Sequence, residues 1–213
     1  MLLTSADLDH ALGLLCLREG ESLPVYATAA IRESLDGALG LSAILESFCG
    51  VSWCELPLEE RPLLSGGLHC RAIPLPGHAP RFAPKAAAEC GHRVAYEFFN
   101  PATGGRLVVA PDVAEVTGEL RRALERSDRV LLDGTFWSET ELQEIKSSAA
   151  PASAMGHLPM RESLGILEAL PARTKAYIHV NNTNPVLQPG SPERRLVEAA
   201  GVIIPDDGTE WLL

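Results

Sequence analysis

The chain has 213 residues, 46% hydrophobic and 22% charged, enough for one soluble domain with a real core. Its formal net charge of −10 repels a phosphate backbone. The arginine pairs at 121–122 and 194–195 sit in mixed-charge segments that read as solvated helix faces, so nucleic acid is excluded as a partner. No apolar run approaches a membrane span and no signal pattern opens the chain, which predicts a cytoplasmic protein.

Residues 2–4 predict a short apolar strand, followed by the polar turn Ser5-Ala6-Asp7-Leu8-Asp9-His10 and an apolar-rich helix over 11–18. A strand at 25–28 leads into a helix over 29–39, helical continuation over 42–48 and extended chain at 51–56. This alternation argues for an α/β layered fold. Residues 68–73 alternate apolar and polar as a half-buried strand does. The segment 74–84 holds four prolines and a glycine, and predicts a fixed, exposed loop. Strands over 93–99 and 106–110 flank Asn100-Pro101-Ala102-Thr103-Gly104-Gly105, a hairpin turn.

The helix over 117–126 turns Leu120, Ala123 and Leu124 inward, and a buried strand over 129–132 ends at Asp133-Gly134-Thr135. Ser138 and Glu141 match a capping box and predict a short helix starting there, while the small polar segment 147–153 reads as mobile. Met155-Gly156-His157-Leu158-Pro159 precedes a helix to Leu170, and a strand follows over 175–180. The last helix takes Ser191 as N-cap, Pro192 at its first position and Gly201 past its end, and two short strands close the chain. The five cysteines, Cys16, Cys49, Cys54, Cys70 and Cys90, include no Cys-x-x-Cys pair; they read as free, mostly buried thiols and not as a zinc site.

Metal-type ligands recur at predicted strand ends and loops: Asp9-His10, His78, Asp112, Asp133 and His179, with His157 on a further loop. Open α/β sheets gather their ligands at the C-terminal ends of strands, so the recurrence carries more than any one residue. Asp9, His10 and His179 would form a facial set of one carboxylate and two imidazoles with positions left open, a geometry suited to non-haem Fe(II). Asp133 or an asparagine carbonyl would orient an imidazole from behind. The amides of residues 181–185 would fix ligands or grip a polar substrate, or else build a turn rich in Asx motifs. His69 and His92 read as surface or core residues.

With these residues in view, the chain resembles the coenzyme PQQ synthesis protein B family, a branch of the metallo-β-lactamase fold. The matching features are residues 4–13, Leu17-Arg18-Glu19-Gly20, Leu131-Leu132-Asp133-Gly134-Thr135-Phe136-Trp137, Met155-Gly156-His157-Leu158-Pro159 and Ile178-His179-Val180-Asn181-Asn182-Thr183-Asn184-Pro185. Ser191-Pro192-Glu193-Arg194 and Asp207-Gly208 fit as well. The resemblance implies an αββα sandwich. It is an incomplete one, because the family's opening glycine-rich strand and Cys-x-Cys-x-x-Cys zinc segment do not occur here. A truncated start is therefore expected, or a partner that supplies the missing half, whether a second copy or another protein of the pathway.

In the wider fold the first motif is Thr-His-x-His-x-Asp-His. Here Ser5 and Asp7 stand at the two leading histidine positions while Asp9 and His10 are kept, which implies a single-metal site of Asp9, His10 and His179, with Asp112 as the fold's bridging carboxylate. Fe(II) is the expected metal, with Zn or Mn as alternatives. His78 ranks below the others. His157 resembles the loop histidine that gives a proton in ribonuclease-Z-like hydrolases, and it is expected to act with Asp133. The resemblance further implies a role in making pyrroloquinoline quinone (PQQ) from a Glu-Tyr-derived precursor. That role is iron-dependent hydroxylation of the tyrosine ring, with two alternatives: carriage of PQQ or its precursor toward the periplasm, and metal-dependent hydrolysis. Asn181, Asn182 and Asn184 are the expected ligand-binding side chains, and Arg81 and Arg93 the counter-charges to an acidic quinone or peptide.

Overall fold

The computed structural model describes residues 1–17, 19–58, 60–64, 66–83 and 90–213; the expected helix end at Arg18 and the last proline of the loop, Pro84, lie outside them. The chain divides into two units, Met1–Pro62 with Arg71–Val94, and Leu63–Cys70 with Ala95–Leu213.

In the first unit the expected strand at 2–4 is reduced to two isolated bridges, Leu2 with Tyr26 and Ser5 with Arg93. Its backbone bonds run to two different places: Leu3 N–H donates to the Tyr26 carbonyl, while the Thr4 carbonyl accepts from Val94 N–H. No continuous ladder therefore forms. The helix expected over 11–18 is two short turns, α1 (Leu8–Ala11) and α2 (Gly13–Cys16). The break falls before Gly13, a poor helix former. Because α1 begins at Leu8, Asp9 and His10 lie on a helix and not in a turn.

β1 (Leu23–Ala27) pairs in parallel with β2 (Val51–Glu55), from Leu23 opposite Val51 to Ala27 opposite Glu55. A parallel pair needs a crossover, and α3 (Ala29–Leu39) with α4 (Leu41–Glu46) provides it. The Thr28 hydroxyl caps α3 by accepting from Ile31 N–H, and Gly40, at φ +62°, ends it. Ile31, Leu35, Leu41 and Leu45 are buried on the inner face of this pair of helices.

β3 (His69–Pro74) alternates in burial from His69 to Ala72, after which Ile73 is buried as well. β4 (Val94–Phe99), in the second unit from Ala95 onward, is antiparallel to β5 (Arg106–Ala110), and β5, β6 (Arg129–Asp133) and β7 (Thr174–Ile178) are mutually parallel neighbours. The β4–β5 turn is closed by Asn100: its N–H donates to the Gly105 carbonyl, and its carbonyl accepts from Gly104 N–H. α5 (Gly118–Glu125), capped by Thr117, carries the chain from β5 to β6 with Leu120, Ala123 and Leu124 buried. Behind it the buried Glu97 carboxylate accepts from Arg126 Nε and Nη2 at 2.6 and 2.7 Å, with Arg106 3.8 Å away.

Between β6 and β7 lie α6 (Glu141–Ile145), α7 (Ala152–Met155) and α8 (Met160–Ala169). The expected capping box does not form. α6 starts at Glu141, and the Glu141 carboxylate instead accepts from Trp137 N–H at 2.6 Å and the Thr183 hydroxyl at 2.6 Å. The segment 147–153, expected to be mobile, is tied down: Ala152 is buried, and both the N–H and the hydroxyl of Ser153 bond to the Glu139 carboxylate. After a single 3₁₀ turn (Pro185–Leu187), α9 (Pro192–Ala199) begins at Ser191, whose hydroxyl accepts from Arg194 N–H at 3.0 Å. The two closing strands reduce to one bridge between Ile203 and Ala176. Pro205 has no N–H with which to extend it.

The thiols depart from expectation too. Cys70 alone among the five is fully buried, Cys49 and Cys54 are half-buried, and Cys16 and Cys90 are exposed. Burial pushes the Cys70 thiol up to about 12. No helix among the described residues is long and apolar enough to cross a membrane.

Candidate metal centre

The first unit holds Asp9 and His10 on α1, Asp9 exposed and His10 half-buried. The Thr4 hydroxyl lies 3.2 Å from His10 Nδ1, and His10 Nε2 lies 3.7 Å from an Asp9 oxygen. Ser5 and Asp7 are occupied structurally. Ser5 Oγ accepts from Asp7 N–H, and the Asp7 carboxylate takes Arg93 Nη2 at 3.2 Å. Arg93, an expected counter-charge, thus has a fixed acidic neighbour and also lies against Gly77, where an added Cβ would come within 2.6 Å of its Cδ. His78 and Arg81 are exposed in the same unit.

The second unit gathers the rest at the C-terminal ends of three parallel strands. Asp112 lies two residues past β5, Asp133 is the last residue of β6, and His179 is the first past β7. His157 comes from the loop after α7, which Gly156 turns at φ +92°. That loop is pinned by His157 N–H to the Ala152 carbonyl and by Leu158 N–H to the Val113 carbonyl.

Asp133, 1% exposed, organises the cluster. One oxygen accepts from Thr135 N–H at 3.0 Å and from the Thr135 hydroxyl at 2.6 Å. The other accepts from Val113 N–H at 3.0 Å and stands 2.7 Å from His157 Nδ1. Burial pushes the carboxyl up, but hydrogen bonds from His157 and Thr135, together with the nearby His179 imidazole, outweigh it and hold the group down at about 2. An ionised carboxylate only accepts, so His157 Nδ1 carries a proton, and in the neutral ring the lone pair is on Nε2.

His179 is the one non-glycine residue with positive φ, +57°, among the described residues. Its imidazole lies 5.7 Å from that of His157, centroid to centroid, and Phe136 packs edge-on against His157 at 5.6 Å. The buried Asp112 carboxylate has an oxygen 3.9 Å from His157 Nδ1 and 4.0 Å from His179 Nδ1. One ligand-type atom from each of Asp112, His157 and His179 falls within 4.8 Å of the others. One carboxylate and two imidazoles, with at least one ring oriented by a buried carboxylate, form a donor set that fits a catalytic transition metal.

The asparagine run divides. Asn184, 2% exposed, spends its amide inside the protein: Nδ2 donates to the Gly134 and Thr135 carbonyls at 3.0 and 3.3 Å, and Oδ1 accepts from Val186 N–H at 3.1 Å. Asn181 Nδ2 donates to the Thr183 hydroxyl, and Asn182 is exposed. The anchoring roles of Thr135 and Glu141 have no local sequence signal: an Asp-Gly-Thr triplet reads only as a turn.

The family model for the beta-lactamase superfamily domain matches residues 1–180. Coenzyme PQQ synthesis protein B of Cupriavidus necator is 38% identical over the whole of this chain and 72% of its own length, and that of Methylococcus capsulatus is 35% identical over the whole chain and 73% of its own. Among solved structures, Zn²⁺-bound PqqB from Methylobacterium extorquens superposes with a TM-score of 0.86 at 30% identity, covering all of this chain and 72% of that one. The metallo-β-lactamase fold protein YhfI from Bacillus subtilis gives 0.66 at 14% identity, covering 99% of this chain and 75% of that one. The fold is that of the metallo-β-lactamases, and the chain belongs to the coenzyme PQQ synthesis protein B family.

Proposed function

We propose that the chain serves in the making of pyrroloquinoline quinone as a metal-dependent protein, and that its step is iron-dependent hydroxylation of the tyrosine ring of a Glu-Tyr-derived precursor. Family membership supports the pathway, and the Zn²⁺ in the relative from Methylobacterium extorquens supports a metal. The observation that carries the reading is the convergence of the Asp112 carboxylate and the His179 imidazole, with the His157 ring beside them. The proposed ligands are His179 and Asp112, joined on the resemblance alone by Asp9 and His10. A bound ferrous ion supplies redox chemistry toward dioxygen and open coordination positions. His157, with Nδ1 tied to Asp133, offers Nε2 to hold or move a proton. Asn182 and Arg81 of the expected ligand-binding set are exposed.

The test is iron content after purification without chelators, in the natural chain and in His179→Ala, followed by mass analysis of a Glu-Tyr peptide incubated with the iron-loaded protein, dioxygen and a reductant. Iron should fall at least about tenfold in the variant, and the peptide should gain one oxygen atom. Equal iron in both proteins overturns the assignment. A second reading, metal-dependent hydrolysis, has in its favour the 2.7 Å contact of His157 with Asp133, a pair able to deliver a proton to a leaving group. Turnover of a phosphodiester with added Zn²⁺ or Mn²⁺ supports that reading, and a flat response removes it.

A further inference from the structure

The sequence signals no role for Thr135 beyond a turn, yet its buried hydroxyl touches three partners at once. Thr135 Oγ1 is 2.6 Å from Asp133 Oδ1, 2.8 Å from His179 Nδ1 and 3.1 Å from the His179 carbonyl. A hydroxyl has one proton to give and two lone pairs to receive with. The short contact to an ionised carboxylate claims that proton, because the carboxylate cannot donate and charge-assisted bonds are the stronger ones. His179 Nδ1 then faces an oxygen that can only accept from it. It must carry a proton itself, and in the neutral ring the lone pair is on Nε2.

The backbone explains why the hydroxyl can do this. Gly134 N–H donates to the Ile178 carbonyl at 2.8 Å, and Asn181 N–H donates to the Thr135 carbonyl at 3.1 Å, so residues on either side of His179 are fastened to the end of β6. The approach is close enough that a Cβ on Gly134 would fall 2.8 Å from Tyr177 Cβ. Between those two anchors His179 takes its left-handed conformation, a strained state that persists only when surrounding contacts over-determine it. The first unit repeats the pairing, with the Thr4 hydroxyl 3.2 Å from His10 Nδ1.

We infer that Thr135 is a positioning residue: its hydroxyl, held by Asp133, fixes His179 in the Nδ1–H tautomer and so sets Nε2 as the nitrogen that meets a metal. The inference rests on the metal-dependent reading above for its consequence, though not for the tautomer itself.

Two readouts test it on the full chain. Long-range ¹H–¹⁵N spectra of histidine-labelled, metal-free protein report the tautomer of each ring directly. Competition with a chromophoric chelator reports Zn²⁺ affinity. The natural chain and Thr135→Ser should show His179 as Nδ1–H, and their Zn²⁺ affinities should agree within about threefold, whereas Thr135→Val should mix the tautomers and weaken Zn²⁺ about ten- to a hundredfold. Thermal melts of all three separate this from a loss of folding, since a merely structural role would lower Tm in Thr135→Val without moving the tautomer. An Nε2–H tautomer in the natural chain overturns the proposal whatever the variants do. So does a Thr135→Val protein with unchanged tautomer and affinity. If the natural chain binds no Zn²⁺, the metal-dependent reading fails while the spectra still decide the role of Thr135; if Thr135→Val does not fold, Thr135→Ala, which also lacks the hydroxyl, replaces it with the same expected and overturning results.

Discussion

Asn184 and Asn182 lie two residues apart in one run, and the structure predicts opposite consequences for truncating them. Replacing Asn184 by alanine removes the donor to the Gly134 and Thr135 carbonyls and the acceptor for Val186 N–H. The Thr135 carbonyl keeps a bond from Asn181 N–H. Gly134 and Val186 therefore lose a partner in an interior where Asn184 itself is 2% exposed. A buried backbone group stripped of its partner costs about 1–3 kcal/mol. Asn184→Ala should accordingly destabilise the protein by about 3 kcal/mol, a fall in Tm on the order of 8 °C for a chain of this size. Asn182→Ala, at an exposed position, should stay within about 0.5 kcal/mol. Urea titration followed by far-UV circular dichroism measures both, with direct titration of PQQ alongside. An Asn184→Ala protein of natural stability that had lost PQQ binding would refute the reasoning, because it would return Asn184 to the ligand-binding role its sequence suggests.

Arg126→Ala should cost about 3 kcal/mol, since it removes the two short hydrogen bonds that the buried Glu97 carboxylate accepts from this guanidinium; chemical denaturation checks this, and a cost below about 1 kcal/mol would mean that the carboxylate is solvated after the change. Gly134→Ala should lose about 2 kcal/mol through the clash of its Cβ with Tyr177, read from the urea midpoint. In native protein at pH 8, iodoacetamide should label Cys16 and Cys90 and spare Cys70, whose raised pKa of about 12 leaves almost no thiolate; peptide mass mapping shows which sites react.

The elements legible in the sequence are those whose signals are local. α3 runs over the residues expected because Thr28 caps it and Gly40 ends it within one chain segment, and α9 likewise follows from Ser191 and Pro192. Two of the misreadings arise where a side chain bonds to a residue distant along the chain. Glu141 has the spacing of a capping residue, yet its carboxylate bonds to Thr183, 42 positions away. Segment 147–153 has a mobile composition, yet Glu139 holds Ser153. No local rule contains such partners. The cysteines fail for a related reason: burial depends on which face of an element meets the core, and Cys16 and Cys90 lie in a short helix and a loop that bury neither.

The candidate site was legible to the extent that parallel strands make it so. β5, β6 and β7 are neighbours in the order in which the chain makes them, with Ala110 opposite Leu132 and Asp133 opposite Ile178. Residues just past the three strand ends must then be neighbours too, and a polar residue following each predicted strand is a spatial statement as well as a sequential one. That logic brings Asp112, Asp133 and His179 together without any knowledge of the loops between. It cannot supply roles. Asp133, expected to share in catalysis with His157, has its two oxygens engaged by four hydrogen bonds, one of them with the His157 ring. The proton positions of both rings follow from that one saturated carboxylate, directly for His157 and through Thr135 for His179. The candidate ligands Asp112 and His179 are thus written at the strand ends, while the orientation of a candidate ligand depends on a buried acceptor whose partners the fold alone brings within reach.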